Sequence, residues 1–354
     1  MLDGKRILVT GGTGSLGKVL VRRLLAGEWG VPAKVIVFSR DEGKQHDMRL
    51  SYLQRTVTTD EVIYRNFMSR LEFRIGDVRD FSALCSAVKD ADLVVNAAAL
   101  KQVPTCEYFP IEAVRTNCLG AQHIVDAIRL HGCPVETVVG VSTDKACKPT
   151  NLMGLTKAVQ ERILIAANIL CPTTRFVGVR YGNIMASRGS VIPLFHELIR
   201  HGEPVTVTDP RMTRFLITLH QATDLIMAAV REAGPGEIYV PRAPSCTMED
   251  LARALVGDRG NPVRVTGIRP GEKVHEIMVS EEESHHTVRR GPYYAILPML
   301  PELRREGDFT RALDGEYSSG ATPVGLDGVV EILGANQLLL DGEVPLAEGG
   351  ELLR

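Results

Sequence analysis

No apolar run in this chain approaches the roughly 20 residues that a membrane-spanning helix requires. The longest are strand-length, so no membrane span is expected. Net charge is missing too: 41 Lys and Arg face 43 Asp and Glu, for a formal charge of −2. No sequence-wide field therefore draws the protein to nucleic acid or to an anionic membrane. The seven cysteines, scattered from Cys85 to Cys246, include no CxxC pair. His285 and His286 are adjacent in a polar EEESHHT run, a spacing unsuited to chelation from a helix. Neither a metal site nor a dithiol couple is expected, and the cysteines read as reduced thiols in small buried sites. The N-terminal MLDGKRILVT enters a strand at once and holds no signal-peptide core, which points to the cytoplasm. There is no internal repeat.

What is present, over 354 residues, is the alternation of strand and helix of an α/β protein. Arg6 to Thr10 reads as a strand, GGTGSLG as a turn, and the residues through Leu25 as an amphipathic helix. Gly12, Gly14 and Gly17 fit GxGxxG, while Gly11, Gly14 and Gly17 fit GxxGxxG. Such glycines allow a tight turn and the approach of a pyrophosphate to a helix N-terminus. The second strand, Lys34 to Phe38, ends in Ser39 and Arg40, where an NAD site would place an acid for the ribose hydroxyls. A guanidinium there suits the 2′-phosphate of NADP; the competing reading pairs Arg40 with Asp41 or Glu42.

A polar, helix-prone insert from Asp41 to Arg70 is placed to cover the adenine end or a subunit contact. Further strands, Leu71 to Ile75 and Leu93 to Val95, deliver GDVRD and NAAALKQVP. Asp77 and Val78 could flank adenine, and the small Ala97, Ala98 and Ala99 let a cofactor lie against the strand ends. Glu112 to Leu130 reads as one long helix carrying Asn117.

The run from Ser142 to Lys157, STDKACKPTNLMGLTK, follows the apolar strand Thr137 to Val141 and leads into a helix starting near Met153. Side chains at the C-terminal edge of such a strand face the ligand crevice of α/β sheets. Thr143, Asp144 and Lys145 thus bring a hydroxyl, a carboxyl and an amine to one small volume, the parts of an acid, a base and an orienting donor. In isolation, Asp144 could equally cap the turn beside solvated lysines. Met153 and Lys157 share a helix face. After a strand from Arg175 to Val179, Arg180, Asn183, Ser187, Arg188 and Gly189 make a cradle for a second diphosphate. RPGEK, Arg269 to Lys273, is a turn with charges of both signs. Pro204 to Thr208 reads as a short strand, a short helix is expected near Val329, and the Gly-rich, acidic tail is expected to be mobile.

Taken together, TGGTGSLG, FSRDEGKQHDMR, GDVRD, AAALKQVP, TNCLG, STDKACKPTN, RYGNIMASRGSVIPLF, DPRMTRF and GEK resemble the extended short-chain dehydrogenase/reductases. Within that family they resemble the UDP-N-acetylglucosamine 4,6-dehydratases, on the 5-inverting, capsular-polysaccharide side. The likeness covers residues 5 to about 280; beyond Arg290 only EYSS carries it.

The resemblance implies a Rossmann-type doubly wound parallel sheet with a smaller C-terminal substrate-binding α/β region. Residues 1–180 would form the NADP-binding domain, with 214–243 returning to it, while 181–213 and 244–300 would bind the UDP-sugar and 301–354 form an extension. Gly11, Gly14 and Gly17 would hold the pyrophosphate, Arg40 the 2′-phosphate and Lys157 the nicotinamide ribose. Thr13, Ser15, Leu16, Lys44, Lys101, Tyr181, Gly182 and Asn183 complete the candidate cofactor set. Arg180, Asn183, Val191, Arg214 and Glu272 would take UDP, with Lys101, Ser187, Arg188 and Arg269 beside them. Homodimers or homohexamers are implied.

The superfamily's YxxxK has become Met153 to Lys157 here, and a thioether cannot exchange a proton. The proton of the sugar's C4 hydroxyl is left to Lys145, Asp144 or Lys157. In the expected reaction on UDP-N-acetylglucosamine, NADP takes the C4 hydride, Lys145 removes the C5 proton, Asp144 or a group it orients protonates the leaving C6 hydroxyl, and hydride returns to C6. For Lys145 to serve as base, its pKa would have to be lowered from about 10 by burial and by neighbouring Lys157. A C5-retaining dehydratase, a UDP-sugar 4-epimerase and a non-catalytic NADP-binding protein are the competing readings.

Overall fold

The computed structural model describes residues 1–53, 61–187, 189–304 and 309–340. Five buried, largely apolar runs and one part-exposed edge strand run parallel: β1 (Arg6–Thr10), β2 (Lys34–Ser39), β4 (Leu93–Asn96), β5 (Thr137–Thr143) and β6 (Arg175–Tyr181), with β3 (Leu71–Ile75) at the edge. They lie in the order β3-β2-β1-β4-β5-β6, and Ile238–Pro241 continues the sheet in parallel beyond β6. Two antiparallel strands, Tyr293–Ile296 and Thr287–Arg290, close that edge. The chain reverses its direction of winding between β1 and β4, so the crevice opens at their C-terminal ends.

Both faces of the sheet's centre are covered, which is why β1, β2, β4, β5 and β6 read as near-continuous apolar runs. Ile7 and Val9 of β1 pack to one side with Leu20, Leu24 and Ile226; Leu8 packs to the other with Ile36, Ile124 and Leu164. A third apolar core joins the helices Val191–Arg200, Met248–Val256 and Leu326–Ala335 through Phe195, Leu251 and Leu333. The short strand Val205–Val207 and the helix over Val329 agree with the sequence reading. The tail beyond residue 340, expected to be mobile, and Arg188 lie outside the described residues. Among the described residues no helix is long and apolar enough to cross a membrane, and no group of His, Cys, Asp or Glu could hold a metal.

One element departs from expectation. The single helix read over residues 112–130 is instead Pro110–Ala113, a π-helical stretch Val114–Leu119, and Gly120–His131. The wide turns carry Asn117, whose wholly buried amide is used on the chain after β4. It accepts from the Leu100 N–H at 2.8 Å and donates to the Leu100 carbonyl at 3.0 Å and to Thr156 Oγ1 at 2.9 Å.

Candidate active site

The glycine turn folds as tightly as its spacing implies. Gly11 has φ +67°, and a Cβ there would stand 2.9 Å from the Ala98 backbone; a Cβ on Gly17 would stand 2.5 Å from Gly12. The helix Ser15–Ala26, α1, starts after exposed Gly14 with no side-chain cap and no acidic residue in its first turn, leaving its positive end toward the turn. Leu16 is partly buried there. Thr13 donates to Ser39 Oγ at 3.1 Å, and Gln45 donates to the Ser39 carbonyl at 3.0 Å, so the end of β2 is braced beneath the turn.

Arg40, 58% exposed, meets neither Asp41 nor Glu42; its acidic neighbour is Asp77 across the sheet end, at 3.7 Å. Asp41 pairs with Lys44 at 2.6 Å. Burial would raise the Asp77 carboxyl, but hydrogen bonds from Arg79 and the Arg40 charge outweigh it and hold it below its usual range. Val78 is buried against Gly120, and its carbonyl meets His123. Ala97 and Ala98 are half-buried and Ala99 and Lys101 exposed along the crevice wall; Thr10 bridges Asn96 at 2.8 Å and the Ala98 N–H at 3.2 Å. Asn117 sits beneath this wall with its amide tied to both backbone groups of Leu100, so it positions the wall.

The central run forms a built cluster. β5 ends at Thr143, a 3₁₀ turn carries Asp144–Ala146, and the helix Leu152–Leu170 starts from Asn151, which accepts the Gly154 N–H at 2.9 Å. A Cβ on Gly154 would lie 2.2 Å from the Lys145 carbonyl, so only glycine lets helix and turn pack this closely. Lys145 Nζ lies 3.0 Å from Asp144 Oδ1 and 3.1 Å from Glu276 Oε1. Thr143 donates to the same Asp144 oxygen at 2.9 Å. Asp144 is wholly buried, and Asp144 Oδ2 and Glu276 Oε2 have no hydrogen-bond partner. A buried carboxylate oxygen without a donor is costly in isolation and poised to meet a ligand's hydroxyl.

The charges do not fall as expected. Burial would lower the Lys145 amine, yet Asp144 and Glu276 outweigh it and raise its pKa. The cation pushing the other way is Arg214, not Lys157. Burial raises Asp144, Lys145 pulls it back and Glu276 adds to the rise; the net direction is up. Burial lowers the Lys157 amine to about 8, and it lowers Lys273 as well. Lys157 Nζ donates to the Val141 carbonyl at 2.5 Å and to Gln160 at 2.6 Å. Met153 is buried with Cys106, Ala113 and Leu100 in a small apolar cluster, surroundings suited to a thioether.

On the other wall, Tyr181 is buried and its hydroxyl pKa raised by burial. A Cβ on Gly182 would stand 3.1 Å from Asp144 Oδ2. Asn183 Oδ1 and Ser190 Oγ are buried and unpartnered. Ser187 and Gly189 follow, and a Cβ on Gly189 would meet Gln102 at 3.0 Å, so this loop and the one after β4 face each other. Val191 opens the helix Val191–Arg200. Arg269 and Glu272 close the RPGEK turn on themselves, N–H to Oε2 at 3.3 Å. The turn docks on Asn151, which donates to the Gly271 carbonyl at 2.9 Å.

Arg180 corrects the diphosphate cradle. It is 1% exposed, paired with Glu161 at 2.7 Å and Glu283 at 2.8 Å and bonded to the Met278 carbonyl. With its fork saturated inside the protein, it has no donors for a ligand. Arg214 lies nearer the chemistry, 3.8 Å from Glu276. Glu276 itself was missed by the sequence reading. The available signal was an acid immediately before IMV, where an apolar strand begins.

Comparison with known proteins agrees with this geometry. The chain is 42% identical over 319 residues to a Campylobacter jejuni protein named UDP-N-acetylglucosamine 4,6-dehydratase (inverting), covering 89% of this chain and 90% of that one. It is 41% identical over 346 residues to a Rickettsia bellii protein named UDP-glucose 4-epimerase, covering 94% and 96%. The solved structure of Pen from Bacillus thuringiensis superposes with a TM-score of 0.84 at 32% identity, over 96% of this chain and 100% of that one. Residues 7–298 match the family described as polysaccharide biosynthesis protein, and on that span and these identities the chain belongs to it.

Proposed function

We propose that the protein is a UDP-N-acetylglucosamine 4,6-dehydratase, a hydro-lyase that inverts C5 and uses tightly bound NADP. The observation that carries this is Lys145 held between Asp144 and Glu276 at the crevice mouth. Such a cluster suits proton removal next to a carbonyl and loss of hydroxide one carbon further on. The Campylobacter relative's name supports both the substrate and the inversion.

The glycine turn, the positive end of α1 and Arg40 fit a dinucleotide with a 2′-phosphate. Bound there, the nicotinamide would accept the C4 hydride and give it back at C6. The remaining steps belong to side chains. Lys157, with an amine pKa of about 8, is the group we assign to the C4 hydroxyl proton. A proton passing from Lys145 to Asp144 across 3.0 Å frees the amine and loads the carboxyl in one transfer. Lys145 then takes the C5 hydrogen as a proton, the C–H electrons form the C5–C6 double bond, and the C6 hydroxyl leaves with Asp144's proton as water; once hydride is back at C6, a solvent-derived proton delivered to the opposite face of C5 completes the product and inverts that centre. This replaces the expected lowered lysine pKa: the amine becomes neutral by exchange within the pair.

Epimerisation is the second reading, favoured by the names of the Rickettsia relatives. An epimerase needs no base for C5. Incubation with UDP-N-acetylglucosamine followed by mass spectrometry separates the two: a product lighter by one water is expected, and a product of unchanged mass would contradict the proposal. Replacing Arg40 by Ala is expected to weaken NADP binding about tenfold or more, the worth of one charge-assisted pair, while leaving NAD affinity unchanged. Paired dissociation constants check it.

All seven cysteines are free and buried, which suits the cytoplasm, our proposed compartment. Exposed Tyr108, Phe109 and Ile111 suit self-association into the proposed homodimer or homohexamer.

A further inference from the structure

We infer that Glu276 is a positioning residue for the elimination: its carboxylate aims Lys145 and keeps the Asp144–Lys145 pair loaded with a proton, while Ser319 clamps Glu276 from the C-terminal extension. The inference rests on the reading proposed above.

Lys145 has two carboxylate neighbours at nearly equal distance, and Asp144 alone would satisfy its charge. The second carboxylate is 2% exposed, a costly burial unless it serves the amine. It also leaves Glu276 Oε2 without a partner. The groups facing it are Asp144 and Lys145 from the 3₁₀ turn, Arg214 from the strand Thr213–Phe215 and Lys273 from its own loop. Negative charge at Glu276 favours the protonated form of every neighbouring acid and base. It therefore stabilises the ammonium that Lys145 becomes on taking the C5 proton, and it holds Asp144's proton until the C6 hydroxyl departs.

The clamp comes from the C-terminal extension. Ser319, wholly buried, accepts the Glu276 N–H at 2.9 Å, and its own N–H donates to the Glu276 carbonyl at 2.8 Å. Ser319 Oγ also meets Thr213 Oγ1 at 2.7 Å. Residues 317 and 318 pair with the strand that Glu276 leads into. The family model ends at residue 298, and Ser319 belongs to the EYSS run that carries the resemblance beyond it.

The test uses the holoenzyme with UDP-N-acetylglucosamine and follows kcat and KM against pH. Glu276→Gln is expected to lower kcat about 100-fold with KM within about threefold, the scale of lost acid–base assistance. Both limbs of the kcat profile should move to lower pH by roughly one unit, because removing a negative charge lowers its neighbours' pKa values. Glu276→Asp should restore part of the rate. Unmoved limbs, or a rate loss that only follows the folded fraction, would overturn the inference. Should Glu276→Gln fail to fold, Ser319→Ala decides: it keeps the carboxylate's charge and loosens its aim, so a lower kcat with KM and both limbs nearly unmoved supports the inference, and an unchanged kcat overturns it. A wild-type enzyme that removes no water fails the underlying reading; an active wild type whose variants give the contrary results fails this inference alone.

Discussion

Replacing Lys145 by Met is expected to cut dehydration by about a thousandfold or more, ~4 kcal/mol of barrier, while leaving the cofactor bound. The reasoning is geometric. Lys145 is the amine at the mouth of β5, fixed between two carboxylates that each keep one oxygen buried and unpartnered. Methionine keeps the length of the side chain and removes the amine assigned to take the proton from carbon. It also leaves Asp144 and Glu276 facing each other without their cation, so both carboxyls should rise in pKa and the rate that remains should depend differently on pH. Cofactor absorbance of the purified protein, set beside turnover, separates the chemical defect from loss of binding. Turnover within tenfold of wild type would remove Lys145 from the mechanism.

The second large effect is on stability. Arg180→Met should destabilise the fold by about 3–5 kcal/mol, because Glu161 and Glu283 would stay buried without their cation. Burial raises the Glu283 carboxyl and Arg180 outweighs it; without the guanidinium Glu283 would protonate more readily, so the variant's deficit should shrink as pH falls. Chemical denaturation at pH 7 and pH 5 checks the size and the direction. A stable variant with weakened UDP binding would instead return Arg180 to the ligand cradle from which the structure removes it.

These two residues show where the sequence was legible and where it was not. The parallel sheet could be read because its central strands are buried on both faces and followed by turns and helix starts whose glycines are sterically required, as Gly11, Gly17 and Gly154 are. The cluster at Thr143, Asp144 and Lys145 could be read because consecutive residues at a strand end cannot separate far. Partners brought in from distant sequence could not. Glu276 reaches Lys145 across more than a hundred residues, Ser319 arrives from the extension, and Arg180 is claimed by Glu161 and Glu283. A lone arginine at a strand end reads as a ligand group until its acids are seen. The same blindness exchanged the two lysines. Helical spacing put Lys157 near the reaction centre, but only the tertiary structure shows that burial lowers its pKa while paired carboxylates raise that of Lys145. The π-helical stretch was hidden for a related reason: Asn117 widens the helix to hold Leu100, a contact no local pattern announces.

The most direct measurement is the fate of two hydrogens during turnover. UDP-N-acetylglucosamine carrying deuterium at C4, converted in ordinary water, should give a product lighter by one water with that deuterium at C6; unlabelled substrate in heavy water should take solvent deuterium at C5. Label lost from C4 to solvent, a C5 that keeps its original hydrogen, or a product of unchanged mass would contradict the account.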